Sequence, residues 1–187
     1  MRTYLALREN NFSLNEFSIV PIRHKDRFEV MKWRNEQVYH LRQLKQITYE
    51  EQENYFNDII NPLFEKKEPD QILFSYLEQG ECIGYGGLVH INWIDKNAEI
   101  SFVINTNLEV LDFQKHWEIF LNLIEQVAFA DLMFHKITTY AYDLRPKLYP
   151  VLNKLGFKKE ATLVKNYLFD SKYVDVVIHS KFNSLIV

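Results

Sequence analysis

Apolar residues recur along the chain at two periods, and the switches between them mark the elements. Phe17 to Ile22 reads as a strand, and from His24 to Asn35 the residues Phe28, Met31 and Trp33 stand among charges in a helical pattern. Thr48 followed by Glu51 is a capping-box signature, in which hydroxyl and carboxylate each satisfy the other's backbone amide, and Tyr55, Ile59 and Ile60 follow at helical spacing. Asn61 to Asp70, with two prolines and mixed charge, predicts a surface loop inside one domain. The period then changes: Gln71 to Glu78 and Cys82 to Ile91 predict a hairpin turning at Gly80, and Ala98 to Ile104 a further strand.

From Leu111 to Asp131 the long period returns. Phe113, Trp117, Phe120, Ile124 and Val127 fall on one apolar face, which predicts the longest helix, laid against a sheet. Lys136 to Tyr142 predicts a strand, and Pro146 to Gly156 a short helix with proline at its start and glycine past its end. Thr162 to Phe169 and Tyr173 to Lys181 predict a last hairpin across Asp170-Ser171-Lys172. Strand, long helix and strand in the middle require a right-handed parallel crossover. The expected fold class is therefore α/β, with a mixed, mostly antiparallel central sheet.

Composition narrows the function. A chain of 187 residues, 47% hydrophobic and 25% charged, fits one domain over 1–187. A net charge of −3 with scattered Lys and Arg gives no footprint for nucleic acid. No uninterrupted run of about 18 apolar residues predicts a membrane span, and the apolar run at the N-terminus is too short for a signal peptide, so a cytoplasmic protein is expected. The single cysteine, Cys82, excludes an intrachain disulfide and a multi-cysteine metal site, and reads as a packed strand residue. There is no Gly-x-Ser-x-Gly elbow, no His-Glu-x-x-His and no His/Cys cluster at ligand spacing, so neither a hydrolase nor a bound metal is expected. Gly84-Tyr85-Gly86-Gly87 lies inside a strand pattern, where glycines allow a bulge or a close backbone approach rather than a phosphate loop.

Four strings carry a resemblance: Met31-Lys32-Trp33-Arg34-Asn35, Cys82-Ile83-Gly84-Tyr85-Gly86-Gly87-Leu88, Ala98-Glu99-Ile100-Ser101-Phe102-Val103-Ile104 and Leu152-Asn153-Lys154-Leu155-Gly156-Phe157. With the order of elements, they make the chain from Phe17 to Phe182 resemble the GNAT N-acetyltransferase superfamily, and within it the group similar to ribosomal-protein alanine acetyltransferases. The resemblance implies acetyl-CoA as co-substrate, lying where the fourth and fifth strands splay, with backbone groups near Phe102, Val103 and Ile104 bonding the pantetheine and stabilising the oxyanion. The family's Gln/Arg-x-x-Gly-x-Gly/Ala loop, which holds the pyrophosphate at a helix N-terminus, is degenerate here. Gln114-Lys115-His116-Trp117 stands in its place, so helix amides, Lys115 and His116 are left to hold phosphate, with Trp117 beside them. The family's asparagine opening the last helix aligns with Arg145, and its general-acid tyrosine with Leu152, one turn from Tyr149.

What the resemblance implies chemically is direct transfer to a primary amine. A lysine-like amine has a pKa of about 10.4 and must lose a proton before it attacks a thioester. Glu99 is the candidate base, against the alternative of a strand glutamate that is solvated or structurally bonded. Tyr149 is the candidate acid, against simple packing between Leu148 and Pro150. Trp33, Arg34 and Asn35, with His90 and Trp93, are acceptor-side candidates, against a core tryptophan, a surface pair and a helix stop. Arg145 either reaches a CoA phosphate or pairs with Asp143. The expected acceptor is a small molecule, an amino sugar or nucleotide-linked amino sugar; the alternatives are a protein N-terminus and a GNAT-like domain that binds without catalysis. A monomer or homodimer is expected.

Overall fold

The computed structural model describes residues 2–184. Its strands are β1 (Phe12–Leu14), β2 (Phe17–Pro21), β3 (Ile72–Glu78), β4 (Glu81–Asn92), β5 (Asn97–Ile104), β6 (Lys136–Tyr142), β7 (Lys158–Phe169) and β8 (Lys172–Phe182). The helices are α1 (Arg27–Glu36), α2 (Tyr49–Asn54), α3 (Asn61–Leu63), α4 (Thr106–Leu111), α5 (Phe113–Glu125) and α6 (Leu148–Lys154). The strands form one sheet in the order β1-β2-β3-β4-β5-β6-β8-β7. Every neighbouring pair is antiparallel except β5 and β6, so the expected parallel crossover is present.

That parallel pair positions everything that follows. Its ladder holds only Asn97, Ala98 and Glu99 against Lys136, Ile137 and Thr138, after which the strands part. The Asn105 N–H donates to the Ile83 carbonyl at 2.8 Å. Antiparallel alternation then commits the amides of Val103, Ser101 and Glu99 to β4; the amide of Ile100 closes the parallel ladder on Thr138, and that of Phe102, past its end, turns toward the gap.

Side chains alternate likewise. Even-numbered residues of β4 and β5 face α5, where the Phe102 ring stacks on Phe120 at 3.9 Å and meets Trp117 edge-on at 5.1 Å. Gly86 permits this close approach: a Cβ there would lie 2.2 Å from the Ser101 carbonyl oxygen and 2.7 Å from Phe120. Odd-numbered Tyr85, Val89, Glu99 and Ser101 face the opposite side, toward α1 and the segment that follows it.

Four elements depart from the sequence reading. The Thr48–Glu51 capping box forms, but the helix does not stop at Asn61. It passes through a π-helical turn, Tyr55–Ile60, into α3, which shortens the expected loop. The slip in register lets Asn61 donate to Phe56 and accommodates Pro62, which has no N–H to offer. The long helix is broken at Asp112 (φ −131°, ψ 29°), because Phe113 onward is buried while Val110 and Leu111 face outward. Finally, α6 opens at Leu148 rather than Pro146, and β7 begins four residues before Thr162. No helix among the described residues is long and apolar enough to cross a membrane.

Candidate active site

Two cavities open on the sheet and meet at Arg34, Gln71, Val89 and Ser101. The first, about 430 Å³, occupies the gap between β5 and β6, with Trp117, Arg145 and Leu148 on one side and His40, Leu41 and Arg42 on the other. The second, about 580 Å³, lies between α1, the π turn and strands β3 and β4, with an apolar lining that includes Val30, Tyr55, Phe56 and Leu73.

At the first cavity, Arg42 donates from Nη2 to both oxygens of Glu99, at 3.0 and 3.3 Å. The same guanidinium lies 4.1 Å from the Tyr140 ring centroid, so it bridges β5 to β6 where the backbone ladder has ended. His90 Nδ1 lies 3.1 Å from Glu99 Oε2. A proton on Nδ1, the tautomer assigned by that carboxylate, leaves Nε2 as an open acceptor. The geometry is built locally: the β4–β5 register shifts after Val89, and His90 takes φ 49°, a left-handed conformation uncommon outside glycine.

The other end of the gap is cationic. Arg145, buried over the Trp117 ring, reaches Glu109 Oε1 at 3.4 Å, and Lys147 donates to the Glu109 carbonyl at 2.8 Å. Burial pushes the Glu109 carboxyl up, against the opposing pull of Arg145 and Lys147. Burial lowers Arg145, which Glu109 counteracts. Glu109 Oε2, Trp117 Nε1 and His40 Nδ1 are buried without a hydrogen-bond partner. His40 is pushed down to about 3, chiefly by burial and then by Arg145, and is therefore neutral at pH 7.

An acyl-CoA fits this site in part by the expected means and in part by others. The unpaired β5 edge at Phe102, beyond the ladder that ends at Glu99 and Thr138, suits an amide-bearing arm. In the stretch where phosphate-binding amides were expected, Asp112 donates to the Leu108 carbonyl and His116 to that of Asp112, and α4 precedes it. Cationic side chains, Arg145 and Lys147 against a single carboxylate, supply the positive field there.

The sequence-selected residues divide accordingly. Glu99, His90, Arg34, Phe102, Trp117 and Arg145 line the first cavity. Val103 bonds toward β4, and the Ile104 carbonyl accepts from Gln37 Nε2. Lys115 reaches Glu78, 3.9 Å away, and His116 is buried against the Tyr76 hydroxyl; with Gln114 they belong to helix α5 rather than to a loop. Trp33 is 2% exposed and belongs to the core. Asn35 accepts from the Ile47 amide and from Gln43, fastening the segment after α1. Trp93 donates to the Pro69 carbonyl and packs on Phe134. The Tyr149 hydroxyl donates to Asp143 at 2.7 Å while its ring stacks on His179, which holds its proton tightly and away from the gap. Arg145 pairs with Glu109, not with Asp143. Arg42 and Glu109 escaped the sequence reading, and the only signal for either was a charge in a segment lacking apolar period.

The family model described as "Acetyltransferase (GNAT) domain" matches residues 19–178. The chain belongs to the GNAT acetyltransferase family. Acetyl-CoA is the acyl donor of that family, and among the described residues no group of three His, Cys, Asp or Glu side chains could hold a metal. A spermidine N(1)-acetyltransferase from Vibrio cholerae is 27% identical over 108 residues, spanning 56% of this chain and 61% of that protein. The V. cholerae spermidine N-acetyltransferase in complex with CoA and spermine has a TM-score of 0.80 at 20% identity, covering 91% of this chain and 98% of that one. A dodecameric structure of the same enzyme gives 0.77 at 19% identity, over 91% and 96%. At that identity the likeness is one of fold.

Proposed function

We infer that the protein transfers an acetyl group from acetyl-CoA to the primary amine of a small molecule. The observation that carries this reading is the Glu99–His90 pair at the mouth of the β5–β6 gap. Both oxygens of Glu99 are engaged by Arg42, so the open acceptor is His90 Nε2, and Glu99 holds the imidazole in the tautomer that exposes it. An imidazole whose Nε2 is open can take the proton as the amine attacks. Acetyl-CoA supplies the thioester carbonyl for that attack; the amide of Phe102 orients its arm, and Arg145 and Lys147 attract its phosphates. The leaving sulfur takes its proton from water, since Tyr149 is bonded to Asp143 outside the gap.

An amino sugar is the acceptor type we favour over a protein N-terminus, the acceptor of the alanine acetyltransferases the sequence resembles, because a cavity of about 580 Å³ has the size of a small-molecule site. A monomer or homodimer suffices, because every residue invoked comes from one chain. Replacement of the phosphate loop by α4 favours a second reading, a domain that binds a ligand without catalysis. Thermal-shift measurement with acetyl-CoA, followed by an assay of free CoA with an amine panel, separates the two. Stabilisation with turnover supports the enzyme, stabilisation without turnover the binding domain, and no stabilisation rejects the acetyl-CoA reading.

A further inference from the structure

The charges around the two cavities do not balance, and the imbalance has a location. Each lining carboxylate has a cation: Glu51 meets Lys45 at 2.5 Å, Asp70 meets Lys66 at 3.3 Å and Glu99 meets Arg42 at 3.0 Å. Arg145 has Glu109. Arg34 alone among the described lining arginines has no carboxylate within ion-pair distance. Its partners are neutral, the Tyr85 hydroxyl at 2.6 Å from Nη1 and Gln43 Oε1 at 3.1 Å from Nε, which uses two of five N–H donors. The guanidinium is half-buried where the two cavities meet, and a desolvated cation without a counter-charge is costly unless an anion completes it.

We propose that Arg34 seats an anionic group of the acceptor, so that the second substrate is a primary amine whose body also carries a carboxylate or a phosphate. This rests on the acetyl-transfer reading and specifies its substrate class. With the anion at the junction, the amine lies in the first cavity, which Glu99 and His90 also line, and the apolar part of the acceptor enters the second, whose volume is that of a small-molecule site. Tyr85 and Gln43 hold the guanidinium in plane, presenting its remaining N–H groups as a fork suited to two anion oxygens. A linear polycation is the wrong partner. It would meet an unpaired positive charge and no unpaired carboxylate, in contrast to the polyamines named for the Vibrio enzyme.

The test uses matched amines differing by one anion: glucosamine 6-phosphate against glucosamine, phenylalanine against phenethylamine, and spermidine as the polycation. Binding is followed by calorimetry in the absence of acetyl-CoA, and turnover by CoA release. The anionic member of a pair should bind roughly 10- to 100-fold more tightly, the range of a charge-assisted hydrogen bond, with the phosphate and carboxylate pairs telling which anion is read. Arg34→Gln should erase that difference, Arg34→Lys should restore part of it, and acetyl-CoA affinity should hold in both. Equal binding within both pairs, or spermidine as the best acceptor, overturns the proposal and leaves acetyl transfer standing. Selective anion binding with no CoA release from any amine overturns acetyl transfer and leaves the Arg34 seat standing. The wild-type comparison needs no variant, so it decides between these outcomes even where Arg34→Gln fails to fold.

Discussion

The two cavities share a wall but solve opposite problems. In the β5–β6 gap the charges away from the junction are paired, Glu99 with Arg42 and Arg145 with Glu109, and the unsatisfied buried atoms are Trp117 Nε1, His40 Nδ1 and Glu109 Oε2. Across Ser101 and Val89 the second cavity is mostly apolar, and its one unbalanced group is a cation. The first arrangement suits a long polar arm threaded between strands, with charges held in reserve. The second suits an apolar body fixed by one strong contact. On the proposed reading, the pairing pattern, more than size, distinguishes donor side from acceptor side.

That contrast can be broken at several points. The largest effect is expected at His90 and Glu99: His90→Gln should lower kcat by roughly 10²- to 10⁴-fold, the usual worth of general acid–base catalysis. Glu99→Gln should cost less, and the double variant little more than His90→Gln alone, because the two act as one unit. Additive losses in a pre-steady-state assay would separate them. Glu109→Gln strands Arg145 and should destabilise the fold by about 3 kcal/mol in urea unfolding, within the range for removing one partner of a buried pair. Acetyl-CoA should recover part of this by supplying the missing negative charge. Gly86→Ala should cost about 1–3 kcal/mol, since its methyl group would press on the Ser101 carbonyl and Phe120.

A more gradual effect follows from pH. The folded-state pKa of His40 is lowered from 6.5 to about 3, so as pH falls through that window the unfolded chain takes up a proton that the folded chain refuses. Stability should decline by up to about 1.4 kcal/mol per pH unit from this group, and His40→Gln should make the slope shallower in chemical denaturation at pH 4 to 6.5. Smallest of all, Arg42→Ala removes a part-exposed ion pair and should change stability by no more than about 1 kcal/mol, while raising KM through a loosened bridge between β5 and β6.

Much of the fold was legible because burial imposes periodicity. The apolar face from Phe113 to Val127 and the alternation through β4 and β5 locate the sheet and its crossover. The helix break at Asp112 was not legible, since Val110 and Leu111 continue the apolar pattern while pointing outward. At the site, Glu99 could be found because a carboxylate inside an apolar strand is conspicuous, and Arg34 because it follows a core tryptophan. Arg42 and Glu109 could not, because their meaning comes from partners far along the chain, Glu99 and Arg145. Trp33, Asn35 and Trp93 had the right chemistry for acceptor binding, but the structure uses them for packing and for fastening loops. Local sequence reports residue type; which face it occupies depends on tertiary pairing.

The most direct measurement follows acetyl-CoA and a panel of amines together, with free CoA and N-acetylated product quantified from one reaction. Acetyl transfer predicts the two products in equal amounts with at least one small amine, at a rate that collapses in His90→Gln. Acetyl-CoA left unconsumed with every amine, or consumed equally by wild type and His90→Gln, would contradict it.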